Sequence, residues 1–257
     1  MNSQRHIQIL RVHLLAMSRL AQRALDYSIK GYELRNLDFA RRVPAANGEL
    51  DAHYRQIKEL SRELMNGGAA KPSDSRFALA AVSIGTALHL THSAAAAIAQ
   101  DSVRLLETSG IHKCAPLDSM AQLVNGSIRL CIVSLFQQDA AHARTVLRHQ
   151  ETLRFRELTS SALHPHIDRW AGAQGDFERS VIRSLGQVAK QAHEIAEAIL
   201  FWLEGRLNVE GRPSASVEGR HISLEFPSAR LQGDAAGLRH VPSKSIQSVK
   251  LPQCSPC

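Results

Sequence analysis

One stretch constrains the fold of this chain more than any other. Val181, Leu185, Val188, Ala192, Ile195, Ile199 and Trp202 recur at spacings of 4, 3, 4, 3, 4 and 3. That alternation puts seven apolar side chains on one stripe of an α-helix, and such a stripe has to be buried against partner helices. A strand alternates its faces every second residue and would scatter the same residues to both sides. Gly205 follows as a helix stop. Aromatic residues make up 5% of the chain, lean for a β-sandwich, while 44% hydrophobic residues are enough for a sizeable core and exclude a wholly disordered protein.

The same periodicity runs through the first 206 residues. Leu10, Leu14, Met17, Ala21 and Ala24 share one face, as do Leu50, Tyr54, Ile57, Leu60 and Leu64. Loops are expected from Asn66-Gly67-Gly68 to Pro72, with Ser73 or Asp74 capping the next helix, from Gly110 to Pro116, and from Ser160 to Pro165. Asn36-Leu37-Asp38 and Gln137-Gln138-Asp139 read as tight helix–helix corners. The expectation is six helices, near 7–35, 37–65, 74–108, 116–137, 139–159 and 167–205. Pro44 with Asn47-Gly48 should kink or split the second, since an internal proline costs roughly 3 kcal/mol.

Five of the nine prolines fall in the last 51 residues, which carry no long apolar stripe. Residues 207–257 therefore read as a disordered tail. Four cysteines in 257 residues are no disulfide scaffold. Cys254 and Cys257 have C-x-x-C spacing but no second pair, and Cys114 and Cys131 read as single thiols. The most apolar stretch, Phe77–Leu88, is about half the ~20 residues a membrane span needs, and no leader segment stands at Met1–Met17. The reading is a soluble, cytoplasmic protein without direct membrane insertion.

The helix order repeats. At an offset of 103, Leu14 matches Leu117, Met17 matches Met120, Ile29 matches Ile132, Ala40 matches Ala143 and Val43 matches Val146. At an offset of 97, Leu88 matches Leu185, Ala95 matches Ala192 and Ile98 matches Ile195. The fold expected is all-α: tandem duplicated three-helix bundles, with repeats at 1–110 and 111–206 followed by the tail at 207–257.

Three segments then carry a resemblance. Asn36-Leu37-Asp38-Phe39-Ala40-Arg41-Arg42-Val43, Gln138-Asp139-Ala140-Ala141-His142-Ala143-Arg144-Thr145-Val146 and the closing run Ile195–Gly205 together resemble the PhoU family of phosphate-uptake regulators. The likeness spans nearly all of residues 7–206 in length, helix order and corner placement. It implies a homodimeric cytoplasmic adaptor between a phosphate ABC transporter ATPase and a phosphate-sensing histidine kinase, damping the phosphate-starvation response.

The family's marker, Glu/Asp-x-x-x-Asp on the third helix of each repeat, can hold iron or zinc clusters. Here the matching positions are His89 and Ser93, then Gly186 and Lys190. No carboxylate remains, so no metal cofactor is expected. The helix-two positions hold Asp51 and Arg154. An alternative metal half-site is His89 and His92, at i and i+3, with Asp51. His193 and Glu197 read as a surface pair.

No nucleophile motif, phosphate loop or dinucleotide fingerprint is present in the sequence, so catalytic residues are expected to be absent. The tail holds six cations and four carboxylates, which leaves +5 of the chain's +7 on the first 206 residues. That modest charge, without a helix-turn-helix or basic-aromatic stripe, makes nucleic acid an unexpected partner. The reading is a non-enzymatic regulator of phosphate uptake. Its alternatives are a degenerate paralogue serving as a metal- or ligand-binding bundle, or a basic helical nucleic-acid binder.

Overall fold

The computed structural model describes residues 3–44, 47–66, 71–108, 115–149 and 173–205. They form α1 (Ser3–Glu33), α2 (Leu37–Arg41), α3 (Gly48–Asn66), α4 (Pro72–Thr108), α5 (Ala115–Gln137), α6 (residues 140–149) and α7 (Ala173–Glu204), with no strand among them. The chain divides into two compact units, Met1–Arg212 and Pro213–Cys257. The second unit, and with it the expected tail, lies outside the described residues, as do Arg154, Cys114, Cys254 and Cys257.

Local chemistry fixes the breaks. Pro44 splits the expected second helix into α2 and α3, as the missing N–H requires. Asn36 caps α2, its Oδ1 accepting from the Asp38 N–H at 2.8 Å, and Asn47 Oδ1 accepts from the Leu50 N–H at 3.2 Å at the start of α3. Expectation and structure differ at α4. The helix begins at Pro72 rather than after Ser73 or Asp74, with Lys71 O accepting from the Asp74 and Ser75 N–H groups at 2.9 and 3.1 Å. Proline suits the first helical position, where its absent donor is not missed, so Ser73 and Asp74 fall inside the first turn. Gly205 ends α7 with φ +71°, its N–H on Phe201 O at 2.9 Å.

Two corners 103 residues apart share one geometry. Arg35 has φ +52° and Gln138 has φ +56°. Beside them the Asn36 N–H reaches Gly31 O at 3.0 Å and the Asp139 N–H reaches Ser134 O at 3.2 Å. These are left-handed caps with the six-to-one hydrogen bond of a Schellman motif. Each is followed by a side chain that caps the next helix: Asn36, and Asp139, whose Oδ1 accepts from the Ala141 N–H at 2.8 Å. Ala40 and Ala143 are buried behind them.

α4 is the central helix, packed along α1, α3 and α7, while α1 also meets α3 and α5. Side-chain pairs give the directions. His6–Glu63 and Asp51–His89 make α3 antiparallel to both α1 and α4, and Phe77–Trp202 with Asp101–Ser180 make α7 antiparallel to α4. α6 touches α5 through His149–Ser127 and α7 through Arg144–Glu204. Asp26 joins α1 to α5, accepting from Asn125 and Arg129 at 2.7 and 2.8 Å. All seven seam residues of α7 are buried, as are those named on α1; on α3, Tyr54 is only half-buried. At one end of the α4–α7 pair, Phe77 and Trp202 pack 4.7 Å apart, with the Arg11 guanidinium 5.6 and 5.8 Å from their rings.

Among the described residues, two helices, Pro72–Glu107 and Leu117–Gln137, are long and apolar enough to cross a membrane by length and composition. This reach exceeds the short run expected at Phe77–Leu88, because Ala, Ile and Val continue beyond His89 and His92. In α4 the apolar window is 61% buried within the bundle, where it serves as the core of the helix packing.

Candidate functional site

Side chains able to do chemistry gather where α1, α3 and α4 meet. α3 offers Asp51, His53, Tyr54 and Lys58 from its exposed and half-buried faces. Asp51 Oδ1 lies 2.8 Å from His89 Nε2 on α4. One helical turn along, Tyr54 meets α4 twice: its hydroxyl lies 2.8 Å from Thr86 Oγ1, and its ring packs 5.6 Å from the His89 imidazole. Lys58 Nζ sits over that same Tyr54 ring at 4.4 Å. His89 is thus held in orientation by a carboxylate and an aromatic face. A carboxylate on one ring nitrogen fixes the tautomer and the orientation of the ring, which is the arrangement used in proton transfer and in metal ligation.

His92 does not join this pair. It is 3% exposed, and its Nε2 has no hydrogen-bond partner in the core. Burial, and next the nearby His89, hold its imidazolium below the usual range, with Asp51 acting in the opposite sense. A cation is disfavoured there. The structure therefore brings together two of the three residues of the alternative metal half-site and turns the third into the packing. Among the described residues, no group of three or more His, Cys, Asp or Glu side chains converges on a point that could hold a metal ion.

Two further histidine contacts were not expected from the sequence. His13 Nδ1 on α1 lies 2.9 Å from His53 Nδ1 on α3, so one ring donates and the other accepts. Burial first, and His53 second, push the His13 pKa down. His6, nearly buried, reaches Glu63 at 3.1 Å. These pairings depend on the register between helices, which the spacing within one helix does not reveal. His193 and Glu197 form the expected i, i+4 pair at 3.3 Å. Cys131 is fully buried, and burial pushes its thiol far up, so it is inert at neutral pH.

This frame is similar to known proteins in sequence over part of its length and in fold over most of it. Residues 14–102 match the PhoU domain family. They fall within the first repeat expected at 1–110. The fold of the PhoU protein from Pseudomonas aeruginosa is similar over 80% of this chain and 100% of that one, with a TM-score of 0.73 at 18% identity. The phosphate transport system regulatory protein PhoU from Streptococcus pneumoniae is similar over 80% of this chain and 99% of that one, with a TM-score of 0.67 at 15% identity. No curated protein matches the sequence.

The PhoU likeness implies metal clusters at positions that here hold His89, Ser93, Gly186 and Lys190. The donors present do not fit them. Ser93 spends its hydroxyl on the His89 carbonyl at 3.1 Å, and Gly186 has no side-chain donor. The Lys190 ammonium, 70% exposed, faces Glu194 at 3.7 Å and would repel a cation.

Proposed function

We propose that this protein is a non-enzymatic regulator of phosphate uptake and phosphate-starvation signalling. It acts as a cytoplasmic, homodimeric adaptor between a phosphate ABC transporter ATPase and a phosphate-sensing histidine kinase, without a bound metal. The match to the PhoU domain family at 14–102, set in a fold that matches PhoU proteins along their whole length, carries this reading. The geometry supports it as far as chemistry goes. α4 and α7, of 37 and 32 residues, offer long faces of the kind partner docking asks for.

The regulatory contact uses the exposed faces of α4 and α7. Lys190 places a positive charge on α7 that can meet an acidic group of the partner once Glu194, on the next turn, is displaced. Deleting the gene is expected to derepress phosphate-starvation genes in phosphate-rich medium. A reporter strain reads this directly, and unchanged expression there would refute the assignment. Capture of the transporter ATPase or the kinase by wild type, compared with Lys190→Glu, tests the docking mode; equal capture removes Lys190 from it.

A further inference from the structure

An open cleft of about 330 Å³ runs between α4 and α7, lined by Leu79, Ala80, Ser83, Glu194, Glu197 and Phe201 along with Ala198. Its origin is simple. Ala80 and Ala198 are buried small residues at the helix contact, and the space they leave is walled by Leu79 and Phe201. Leu79 is 47% exposed, a large apolar side chain left in water at the cleft edge. Leu90 is 45% exposed on the same face of α4, three turns on by the 79, 83, 86, 90 progression. The two leucines are thus roughly 16 Å apart along the helix.

Charge gives the cleft its sign. Glu194 and Glu197 are half-exposed on its α7 side, and no lining residue is cationic. Each has a partner on its own helix, Lys190 at 3.7 Å from Glu194 and His193 at 3.3 Å from Glu197, and both carboxylates keep a solvent-facing side. At the far end the guanidinium of Arg76 sits against Gly205, 3.5 Å from where a β-carbon there would lie. The carboxylates of the lining therefore stand at the end of the cleft away from Arg76.

We infer that this cleft is a docking site for a basic amphipathic helix of a partner protein. Such a helix would lay apolar residues, spaced at i, i+4, i+7 and i+11, along Leu79 and Leu90, and place a lysine or arginine between Glu194 and Glu197. Helix-in-groove recognition uses this pairing of apolar anchors with flanking charge. The inference deepens the regulatory contact proposed for the α4 and α7 faces and rests on that reading; peptide binding is read without any phosphate-responsive gene, so its failure is distinct from an unchanged reporter.

Two 18-residue helical peptides with the same leucine stripe, one flanked by lysines and one by glutamates, are the probes. Titrated into isotope-labelled full-length protein, the lysine peptide is expected to shift backbone amides at residues 79, 80, 83, 194, 197, 198 and 201. Glu194→Gln with Glu197→Gln should weaken it about fivefold, and Leu79→Ser about tenfold. All three substitutions are at exposed or half-exposed positions, so an unchanged melting temperature checks the fold. Absence of binding by the lysine peptide, equal binding by the glutamate peptide, shifts confined to other surfaces, or unchanged affinity in both variants would each overturn the inference.

Discussion

Gly31 lies inside α1, where an alanine would ordinarily be the better residue. Replacing glycine by alanine in a helix interior gains roughly 0.5–1 kcal/mol from backbone entropy and propensity. At Gly31 that gain meets an obstacle. An added β-carbon would lie 2.9 Å from Ala40 Cβ, 3.0 Å from its N and 3.1 Å from its Cα. Comfortable carbon contacts begin near ~3.5 Å, so α2 would have to retreat by roughly half an ångström. It is poorly placed to do so: the corner is tied by Asn36 N–H to Gly31 O and by Arg35 N–H to Tyr32 O, and Ala40 is buried. Overpacking of this kind costs about 1–3 kcal/mol. The net expectation is a destabilisation of ~0.5–2 kcal/mol, or a melting temperature lower by roughly 1–8 °C for a protein of this size.

Two other glycines calibrate that number. A β-carbon on Gly126 of α5 meets nothing within 4 Å, so Gly126→Ala should keep the whole propensity gain and stabilise by ~0.5–1 kcal/mol. On Gly85 of α4 the nearest atom is Tyr54 Cδ2 at 3.2 Å, on a ring held by Thr86 and His89, so displacing it by a few tenths of an ångström offsets the propensity gain and Gly85→Ala should change stability by less than about 0.5 kcal/mol. Urea unfolding of the three variants reads the order directly. Gly31→Ala stabilising the protein as much as Gly126→Ala would show that the α1–α2 contact does not limit the corner, and the reasoning would fail.

The remaining expectations concern protons and metals. His92 and His13 both have native pKa values below the unfolded 6.5, so between that value and the native one the unfolded chain binds more protons. Their contribution to unfolding free energy should be flat above pH 6.5, fall as pH drops below it by up to about 1.4 kcal/mol per pH unit for each fully uncompensated proton, and level off below the native pKa. Denaturant titrations from pH 7.5 to 5 should show this fall, and His92→Gln should make it shallower; an identical slope would mean that His92 is not the group responsible. Elemental analysis of purified protein should find well under one iron or zinc per chain. Stoichiometric metal that disappears in His89→Ala with His92→Ala would restore the alternative half-site.

What the sequence revealed, and what it hid, divides along the distance over which the physics acts. The α7 seam, the split at Pro44 and the stop at Gly205 are set by residues within a few positions of one another, and they were legible. The position of His92 was legible too, but by a different pattern from the one that drew attention to it. Leu88, His92, Ala95 and Ala99 step by 4, 3 and 4, which puts His92 on the seam, whereas its i, i+3 relation to His89 suggested a shared ligand. The contacts His13–His53, His6–Glu63 and Gly31–Ala40 were not legible, because each depends on how far one helix slides along another. The α4–α7 cleft was hidden for the same reason: Ala80 and Ala198 look like ordinary helix formers until the two helices are laid side by side.

The two corners show why some features of this frame hold firm while its surface chemistry departs from the family pattern. At Arg35 and Gln138 the chain enters the left-handed region without glycine, a conformation that costs free energy and survives only when its surroundings enforce it. Here the enforcement is the same in both places. A helix end leaves carbonyls and the following helix leaves N–H groups that must find partners, and one Asn or Asp between them answers both needs. Its backbone N–H returns to Gly31 or Ser134, and its side chain caps the next helix. Behind it there is room only for a small residue, and Ala40 and Ala143 supply it. The Gly31 side achieves the close approach by having no β-carbon, while Ser134 instead donates its hydroxyl to Asp139 O at 2.6 Å. Each requirement is local and tied to backbone groups, so substitution there is paid for at once in unsatisfied hydrogen bonds. Positions 89, 93, 186 and 190 lie inside helices and cap no helix end. They hold His, Ser, Gly and Lys while both corners keep their caps, so the corner geometry does not depend on what those positions carry.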